Sequence, residues 1–242
     1  MLYYTNSQVN TFIKQGVKLP LATQNYPSRG QTAVQELHET KIGKLFLKRV
    51  SDRNHEECQI DVSSGTLAER EFWAYCLARQ IGLFVPHVWL IDAFTTVQTW
   101  LDFPDAHIYK SSTKVMDLEM KNIFDCVLFD WVTGQIDRHD ANYLYDLKNC
   151  NVIPVDSAHS FLKYEGSMPD YLHLCEIGYS ERLQKKIKSE PYRKLFGLTE
   201  NRIRELAPLR NDDEWNGLLD RIKKAEGVLS IKDLIDLYRS NK

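Results

Sequence analysis

The densest group of reactive side chains in this chain of 242 residues lies between residues 134 and 160. Its carboxylate, imidazole and amide members fall within 20 residues of one another: Asp137, His139, Asp140, Asn142 and Asp156. Phosphoryl transfer needs a carboxylate at the attacking hydroxyl and oxygen ligands that hold Mg²⁺ on the nucleotide phosphates. Asp137 would supply the first, and Asn142 and Asp156 the second. With His159 added, the same residue types also suit a metal-dependent hydrolase, so the cluster alone leaves both reactions open.

The reactive group lies between elements that the sequence pattern predicts. An apolar segment over residues 123–132 predicts a helix before it, and a β-prone stretch over residues 143–155 leads to Asp156. Ahead of residue 100, β-prone runs predominate: 32–37, 44–50, 88–91 and 95–100. Beyond it the pattern is mainly helical, with amphipathic runs over 211–225 and 230–239. These patterns predict an α+β fold with a β-rich first part and a mainly helical second part.

The best-marked element is a helix over residues 67–81. Thr66 and Glu69 have the spacing of a capping box, and Gly82 is suited to end the helix. At ~100° per residue, Arg70 falls with Glu69 on the polar arc, whereas Glu71 falls among the apolar residues. A carboxylate on an apolar face costs several kcal/mol unless it is paired, so the pattern predicts a buried cationic partner for Glu71.

Lys48 is the candidate partner of Glu71. Strand alternation over residues 44–50 places Lys48 on the same face as Phe46 and Val50. Most strand lysines are solvated, so the position of Lys48 gains weight only from the oppositely charged anomaly in the helix that follows.

Composition excludes several classes of protein. The chain has 31 basic and 33 acidic residues, a net charge of 31 − 33 = −2, and therefore lacks the basic surplus typical of nucleic-acid binding. Its five cysteines include no C-x-x-C pair, which favours a reducing compartment over a disulfide framework. No run approaches the ~20 apolar residues of a membrane span. We expect a cytoplasmic protein without stable membrane insertion, although an effector translocated without a cleavable signal would have the same composition.

Residues 134–142 and 153–161 resemble a known family. The stretch Gly134-Gln-Ile-Asp-Arg-His-Asp-Ala-Asn142 is similar to the G-x-x-D-R-H-x-x-N catalytic loop of atypical protein-kinase-like enzymes. This group includes the phosphatidylinositol 3- and 4-kinases, actin-fragmin kinase and the bacterial HipA-type kinases. Residues 153–161, which contain Asp156, resemble the stretch that replaces D-F-G in this group.

Upstream segments extend the resemblance over residues ~27 to 161. Residues 70–75 are similar to the R-E-x-x-A-Y helix, and residues 82–86 to its G-x-x-x-P exit. Residues 97–101 are placed like the hinge between lobes. Residues 26–33 would form the phosphate-covering loop, but with one glycine, Gly30, where ordinary protein kinases have three.

The resemblance implies a role for each matching residue. Lys48 would touch the α- and β-phosphates of ATP, with Glu71 holding it. Thr99 and Leu101 would lie at the adenine, and Gly30 at the phosphates. Asp137 would be the catalytic carboxylate, and Asn142 and Asp156 would bind Mg²⁺. His139 would either assist near the phosphates or brace the backbone of its own loop.

The implied activity is ATP- and Mg²⁺-dependent transfer of the γ-phosphate to a hydroxyl group. An inositol lipid acceptor is disfavoured because no basic amphipathic membrane segment is present. Of the remaining acceptors, we favour a protein Ser/Thr over a small molecule. AMP transfer and a non-catalytic kinase-like binding module are the alternatives. Residues 1–97 would form the nucleotide-binding lobe and residues 98–242 the catalytic and helical lobe of one two-lobed, protein-kinase-like domain. Because this leaves little chain for built-in regulation, we expect a regulatory partner.

Overall fold

A computed structural model describes residues 4–21, 33–109, 119–163 and 181–240. The described residues of the first half form five strands and three α-helices: α1 (Asn6–Gln15), β1 (Val17–Leu19), β2 (Ala33–Thr40), β3 (Gly43–Val50), α2 (Asp52–Glu57), α3 (Leu67–Ile81), β4 (Val88–Asp92) and β5 (Thr95–Thr99). The second half is mainly helical: α4 (Ile123–Thr133), β6 (Tyr143–Asp146), β7 (Asn151–Pro154), α5 (Glu181–Gln184), α6 (Glu190–Phe196), α7 (Glu200–Leu206), α8 (Asp212–Ala225) and α9 (Ile231–Ser240). The predicted two-lobed α+β class is confirmed.

The N-terminal lobe is an antiparallel five-stranded sheet with strand order β1-β2-β3-β5-β4. Its central strand, β3, carries Lys48, which lies opposite Gln35 on β2 and Thr96 on β5. The four β-prone runs all form strands, but the sequence pattern did not predict α1, β1 or α2. The sheet therefore fixes Lys48 at its centre, facing α3.

Helix α3 has the ends that its sequence predicts. The Glu69 backbone N–H donates to Thr66 Oγ1, and the Thr66 backbone N–H donates to Glu69 Oε2, which completes the capping box. Gly82 ends the helix in the left-handed conformation, with φ of 87°. One prediction is wrong: Arg70 is 0% exposed and is not on a polar arc. Its long side chain leaves the helix and ends in a pocket of carbonyl and carboxylate acceptors.

The C-terminal lobe is organised around α4, whose eleven residues are all buried. Gly134 ends α4 with φ of 62°, and a Cβ atom there would lie 2.8 Å from the guanidinium carbon of Arg221 in α8. Glycine is thus required both by the backbone conformation and by the close approach of α8. The turn at Gly134 sends the chain directly into the loop that contains Asp137.

No helix in the described segments combines the length and the apolar composition that crossing a bilayer requires.

Candidate active site

A buried ion pair joins the sheet to α3. Lys48 Nζ lies 3.8 Å from Glu71 Oε1, and the two residues are 7% and 4% exposed. The predicted cationic partner of Glu71 is therefore present. Glu71 Oε2 accepts a hydrogen bond of 2.8 Å from Thr96 Oγ1, so both carboxylate oxygens have a partner.

Thr96 was missed by the sequence analysis. Strand register supplies the signal that could have found it, because Thr96 lies directly opposite Lys48 across β3 and β5. A cross-strand neighbour of a buried lysine is well placed to reach that lysine's partner.

Lys48 also bridges the two lobes. Its Nζ donates to Asp156 Oδ1, a closer contact than the one with Glu71. Asp156 follows β7 in the left-handed conformation with φ of 52°, which is uncommon for a residue with a side chain. One ammonium group is therefore shared by two carboxylates that come from different lobes.

The charges in this group shift one another's protonation. Burial would raise the pKa of Asp156, but the charge and hydrogen bond of Lys48, with the charges of His159 and Arg138, together outweigh burial and lower that pKa to about 2. Burial raises the pKa of Glu71, and Lys48 only partly opposes this rise. Burial would lower the pKa of Lys48, yet the two carboxylates raise it above its usual value. Lys48 is thus a cation, and Asp156 an anion, at neutral pH.

The loop after α4 is tied to Asp156 by Gln135, a buried residue that the sequence analysis left without a role. Gln135 Nε2 donates to the Asp156 carbonyl at 3.2 Å, and Gln135 Oε1 accepts from the Asp137 backbone N–H at 3.1 Å. Asn142 Nδ2 donates to the Asp137 carbonyl at 2.7 Å. These three bonds bring Asp137, Asn142 and Asp156 into one site.

A second buried ion pair supports the same loop. Arg138 Nη2 lies 3.0 Å from Asp130 Oδ1 of α4, and both side chains are inaccessible to solvent. Arg138 Nη1 also donates to the carbonyls of Asn142 and Val155, and Nη2 donates to Ser157 Oγ at 2.9 Å. The sequence analysis missed this pair, although Asp130 is a carboxylate in an apolar helix, the same signal that found Glu71.

Asp137 has the most accessible carboxylate of the site's three aspartate and glutamate residues, with 43% of its side chain exposed. Its Oδ2 lies 3.4 Å from His159 Nδ1, and its Oδ1 lies 3.9 Å from His139 Nε2. His139 Nδ1 accepts from the Ala141 backbone N–H at 3.2 Å, so His139 braces its own loop. His159 is therefore the nearer histidine of the two.

His159 carries a positive charge at neutral pH. Burial would lower its pKa, but its contacts with Asp137 and Cys58 and the charge of Asp156 raise the pKa to about 9. The sequence analysis assigned His159 only to the hydrolase alternative. The described ranges contain no group of three or more His, Cys, Asp or Glu side chains placed to hold a metal. Asp140 instead faces His107 at 2.9 Å.

The predicted hinge leaves the sheet at the end of β5. The Thr99 backbone N–H donates to the His87 carbonyl at 2.9 Å, and Thr99 Oγ1 accepts from the His87 backbone N–H at 3.0 Å. Both of these Thr99 groups therefore form hydrogen bonds within the sheet. Leu101 follows two residues later and is half-buried. Gly30 lies outside the described residues.

A narrow cavity of about 20 Å³ is lined in part by Glu71, Gln98 and Asp156. It has room for a water-sized group and not for a nucleobase.

Comparison with known proteins identifies no family for this chain. No family model matches the chain, and no curated protein matches it. Among solved structures, the Helicobacter pylori proinflammatory kinase CtkA is similar with a TM-score of 0.47 and 11% identity, covering 92% of this chain and 97% of that one. The FAT and kinase domain of CtTel1 has a TM-score of 0.44 and 12% identity, covering 86% of this chain and 21% of that one. The functional assignment therefore depends on the side-chain geometry of the site.

Proposed function

We propose that this protein is an ATP- and Mg²⁺-dependent phosphotransferase that moves the γ-phosphate of ATP to a hydroxyl group. The observation that carries the proposal is the sharing of Lys48 between Glu71 of α3 and Asp156 of the opposite lobe. Gln135 links this charged group to Asp137, the accessible carboxylate. A fixed cation and an accessible carboxylate at one lobe junction are the parts that positioning and charge stabilisation require in phosphoryl transfer.

Each residue has a separate task. Lys48, oriented by Glu71 and Thr96, binds the α- and β-phosphates. Asp137 orients the acceptor hydroxyl and takes its proton, and its exposed side chain lets a hydroxyl from another molecule approach. His139 holds the loop through its bond to the Ala141 backbone, adjacent to the transferred group.

The residues present fit a magnesium ion. Asp156 is anionic at neutral pH because of Lys48, and Asn142 uses its NH₂ group on the Asp137 carbonyl, which leaves its amide oxygen as the cation-binding atom. Carboxylate and amide oxygens are suitable ligands for Mg²⁺ alongside phosphate oxygens and water. Asn142 and Asp156 would hold the ion, which neutralises charge on the phosphates when bound.

The remaining assignments follow the division of the chain. Residues 1–97 form the nucleotide-binding lobe, with Gly30 at the phosphates, and residues 98–242 form the catalytic and helical lobe. The backbone from Thr99 to Leu101 meets the adenine. The acceptor is a protein Ser/Thr rather than a small molecule or an inositol lipid, and the protein acts in the cytoplasm, under the control of a partner protein and without binding nucleic acid.

The test is turnover of labelled ATP with Mg²⁺ by the purified protein, with and without a cell lysate as the source of acceptors. Asp137→Asn keeps the shape of the side chain but removes the base, so turnover should fall about 10²- to 10⁴-fold. Asp140→Asn is the matched control, because Asp140 lies in the same loop and faces His107. Undiminished turnover by Asp137→Asn would overturn the proposal.

Mass spectrometry of the labelled product separates this reaction from its alternatives. Phosphate and adenylate add different masses to an acceptor, so an adenylated product would show AMP transfer. Binding of ATP without turnover by the unaltered protein would show a non-catalytic module.

A further inference from the structure

A cysteine thiol lies next to the candidate active site. Cys58 directly follows α2, and its Sγ lies 3.1 Å from His159 Nε2. Cys58 is partly exposed. The two residues are 101 positions apart in the chain, and the contact therefore joins the two lobes.

The imidazole of His159 connects this thiol to Asp137. Its Nε2 faces Cys58, and its Nδ1 lies 3.4 Å from Asp137 Oδ2. Thiol, imidazole and carboxylate thus form a chain of three groups in contact. A nucleophile beside an imidazole that a third group orients is the arrangement that activates cysteine in many enzymes.

The charge of His159 adds to this arrangement. Because its pKa is raised to about 9, the ring is an imidazolium at neutral pH. A cationic imidazole beside the sulfur atom is the kind of surroundings in which reactive cysteines are found. Burial raises the pKa of the Cys76 thiol to about 11 and that of the Cys126 thiol well above its usual value, so these two thiols are poor candidates for reaction.

We propose that Cys58 is a site of oxidation by hydroperoxides and that its oxidation lowers the activity of the site through His159. The effect on activity rests on the proposed phosphotransfer function, whereas the oxidation of Cys58 does not. The Cys58 thiolate attacks one oxygen of the peroxide, forming an S–O bond as the O–O bond breaks. Sulfur loses two electrons and the peroxide gains them, and the departing hydroxide takes up a proton and leaves as water. The product is a sulfenic acid at Cys58.

The consequence for Asp137 is steric. Oxidation replaces the thiol that Nε2 now faces at 3.1 Å by a larger sulfenic acid with different hydrogen-bonding groups, and the ring of His159 shifts in response. Movement of the ring breaks its contact with Asp137 Oδ2 or turns that carboxylate away from the acceptor hydroxyl. A reductant that restores the thiol should restore the contact.

The first experiment measures reactivity without ATP. The full-length protein is treated with hydrogen peroxide, sulfenic acid is trapped with a cyclic 1,3-dione, and the labelled cysteines are located by mass spectrometry. Cys150, also partly exposed, is the internal reference, because its Sγ faces the Leu147 carbonyl rather than an imidazole. We expect Cys58 to be labelled about tenfold faster than Cys150, or more. Equal rates would overturn the proposal.

His159→Gln tests the role of the ring in this reaction. The glutamine amide can still reach the thiol but carries no charge, so labelling of Cys58 should slow about tenfold while labelling of Cys150 stays unchanged. Circular dichroism and a thermal unfolding scan test whether the variant is folded. If His159→Gln does not fold, His159→Asn is used in its place. Unchanged labelling of Cys58 in a folded variant would contradict the proposed activation.

The second experiment measures the coupling. Peroxide should lower ATP turnover of the unaltered protein several-fold, with recovery after dithiothreitol, whereas Cys58→Ser should retain basal turnover and resist peroxide. Equal inactivation of Cys58→Ser, or full activity of protein oxidised at Cys58, would overturn the coupling. Absence of turnover in every sample would count against the proposed function and leave the labelling result standing.

Discussion

Arg70 of α3 donates to both carboxylate oxygens of Glu214 at the start of α8, at 2.7 and 2.9 Å. The same guanidinium donates to the carbonyls of Ser160 and Phe161, at 3.0 and 3.1 Å, in the segment that follows Asp156. Arg70 is adjacent to Glu71 in sequence, so one turn of α3 contacts both the charged group at Lys48 and the chain beyond Asp156. The contacts hold α3 against the C-terminal lobe.

Breaking the Arg70–Glu214 pair should destabilise the protein strongly. Arg70→Met leaves Glu214 and several carbonyl groups without their donor, and removal of one partner of a buried ion pair typically costs about 3 to 5 kcal/mol. Urea denaturation measures this loss. Arg210→Met is the control, because its contact with Glu69 is on the surface and should be worth about 1 kcal/mol or less.

A double-mutant cycle with Glu214→Gln tests whether the pair itself is responsible. The double variant should be less destabilised than the sum of the two single variants, because the second change no longer leaves a charge unpaired. Strict additivity would mean that Arg70 acts through its bonds to carbonyl groups alone.

Removing Lys48 should lower both nucleotide use and stability. In Lys48→Met, Glu71 and Asp156 lose the cation that they share, and Glu71 stays buried, so we expect a loss of roughly 1 to 3 kcal/mol in the free energy of unfolding. Adding Glu71→Gln should restore part of the stability but not ATP turnover. Lys44→Met is the matched control on the same strand, because its partner Asp102 is exposed. An unchanged melting temperature for Lys48→Met would contradict the buried pair.

The sequence predicted the Lys48–Glu71 contact because both residues break a local pattern that burial imposes. Side chains alternate between the two faces of a strand, and those of a helix return to the same face about every 3.6 residues. A charged residue on the apolar face can therefore be recognised from the sequence without any tertiary information. The capping box at Thr66 and the left-handed end at Gly82 are equally local, and α3 has the predicted bounds.

Arg70 could not be placed in the same way. The helical wheel gives the direction of Cβ and says nothing about where a guanidinium group four bonds further on will end. The Gly65 carbonyl and Ser64 Oγ are acceptors close in sequence, but the others belong to Ser160, Phe161 and Glu214, which are 90 to 144 positions away. The His159 contacts with Cys58 and Asp137 likewise depend on how two lobes meet, which no pattern within one element reports. A buried partner for Asp130 could have been predicted from the sequence, since Asp130 is a carboxylate in an otherwise apolar helix.

The raised pKa of His159 makes stability depend on pH above neutrality. The folded-state pKa is about 9 against the ordinary histidine value of 6.5, so the folded protein binds this proton more tightly than the unfolded chain. The stabilisation is fully present below pH 6.5 and is lost as pH rises through 9, with a total of roughly 2 to 4 kcal/mol. Urea denaturation at pH 6 and pH 9 measures the loss, and His159→Gln in a Cys58→Ser background should remove most of it. A pH response identical with and without His159 would contradict the ion pair with Asp137.

A second pH effect should operate on the acid side, through Asp125 in the first turn of α4. Burial raises its pKa to about 6 despite the hydrogen bond that it accepts from Ser189 Oγ. The folded protein therefore holds a proton here that the unfolded chain releases near pH 3.8, and this contribution weakens as pH rises from about 4 to 6. Asp125→Asn mimics the protonated form, so it should be about 1 to 3 kcal/mol more stable than the unaltered protein at pH 7 and closer to it at pH 4. Glu190→Gln is the control, since Glu190 is exposed beside the same Ser189. If Asp125→Asn were destabilised equally at pH 4 and pH 7, the hydrogen bond from Ser189 would require a carboxylate. The loss of that bond would then outweigh the gain from removing a buried charge.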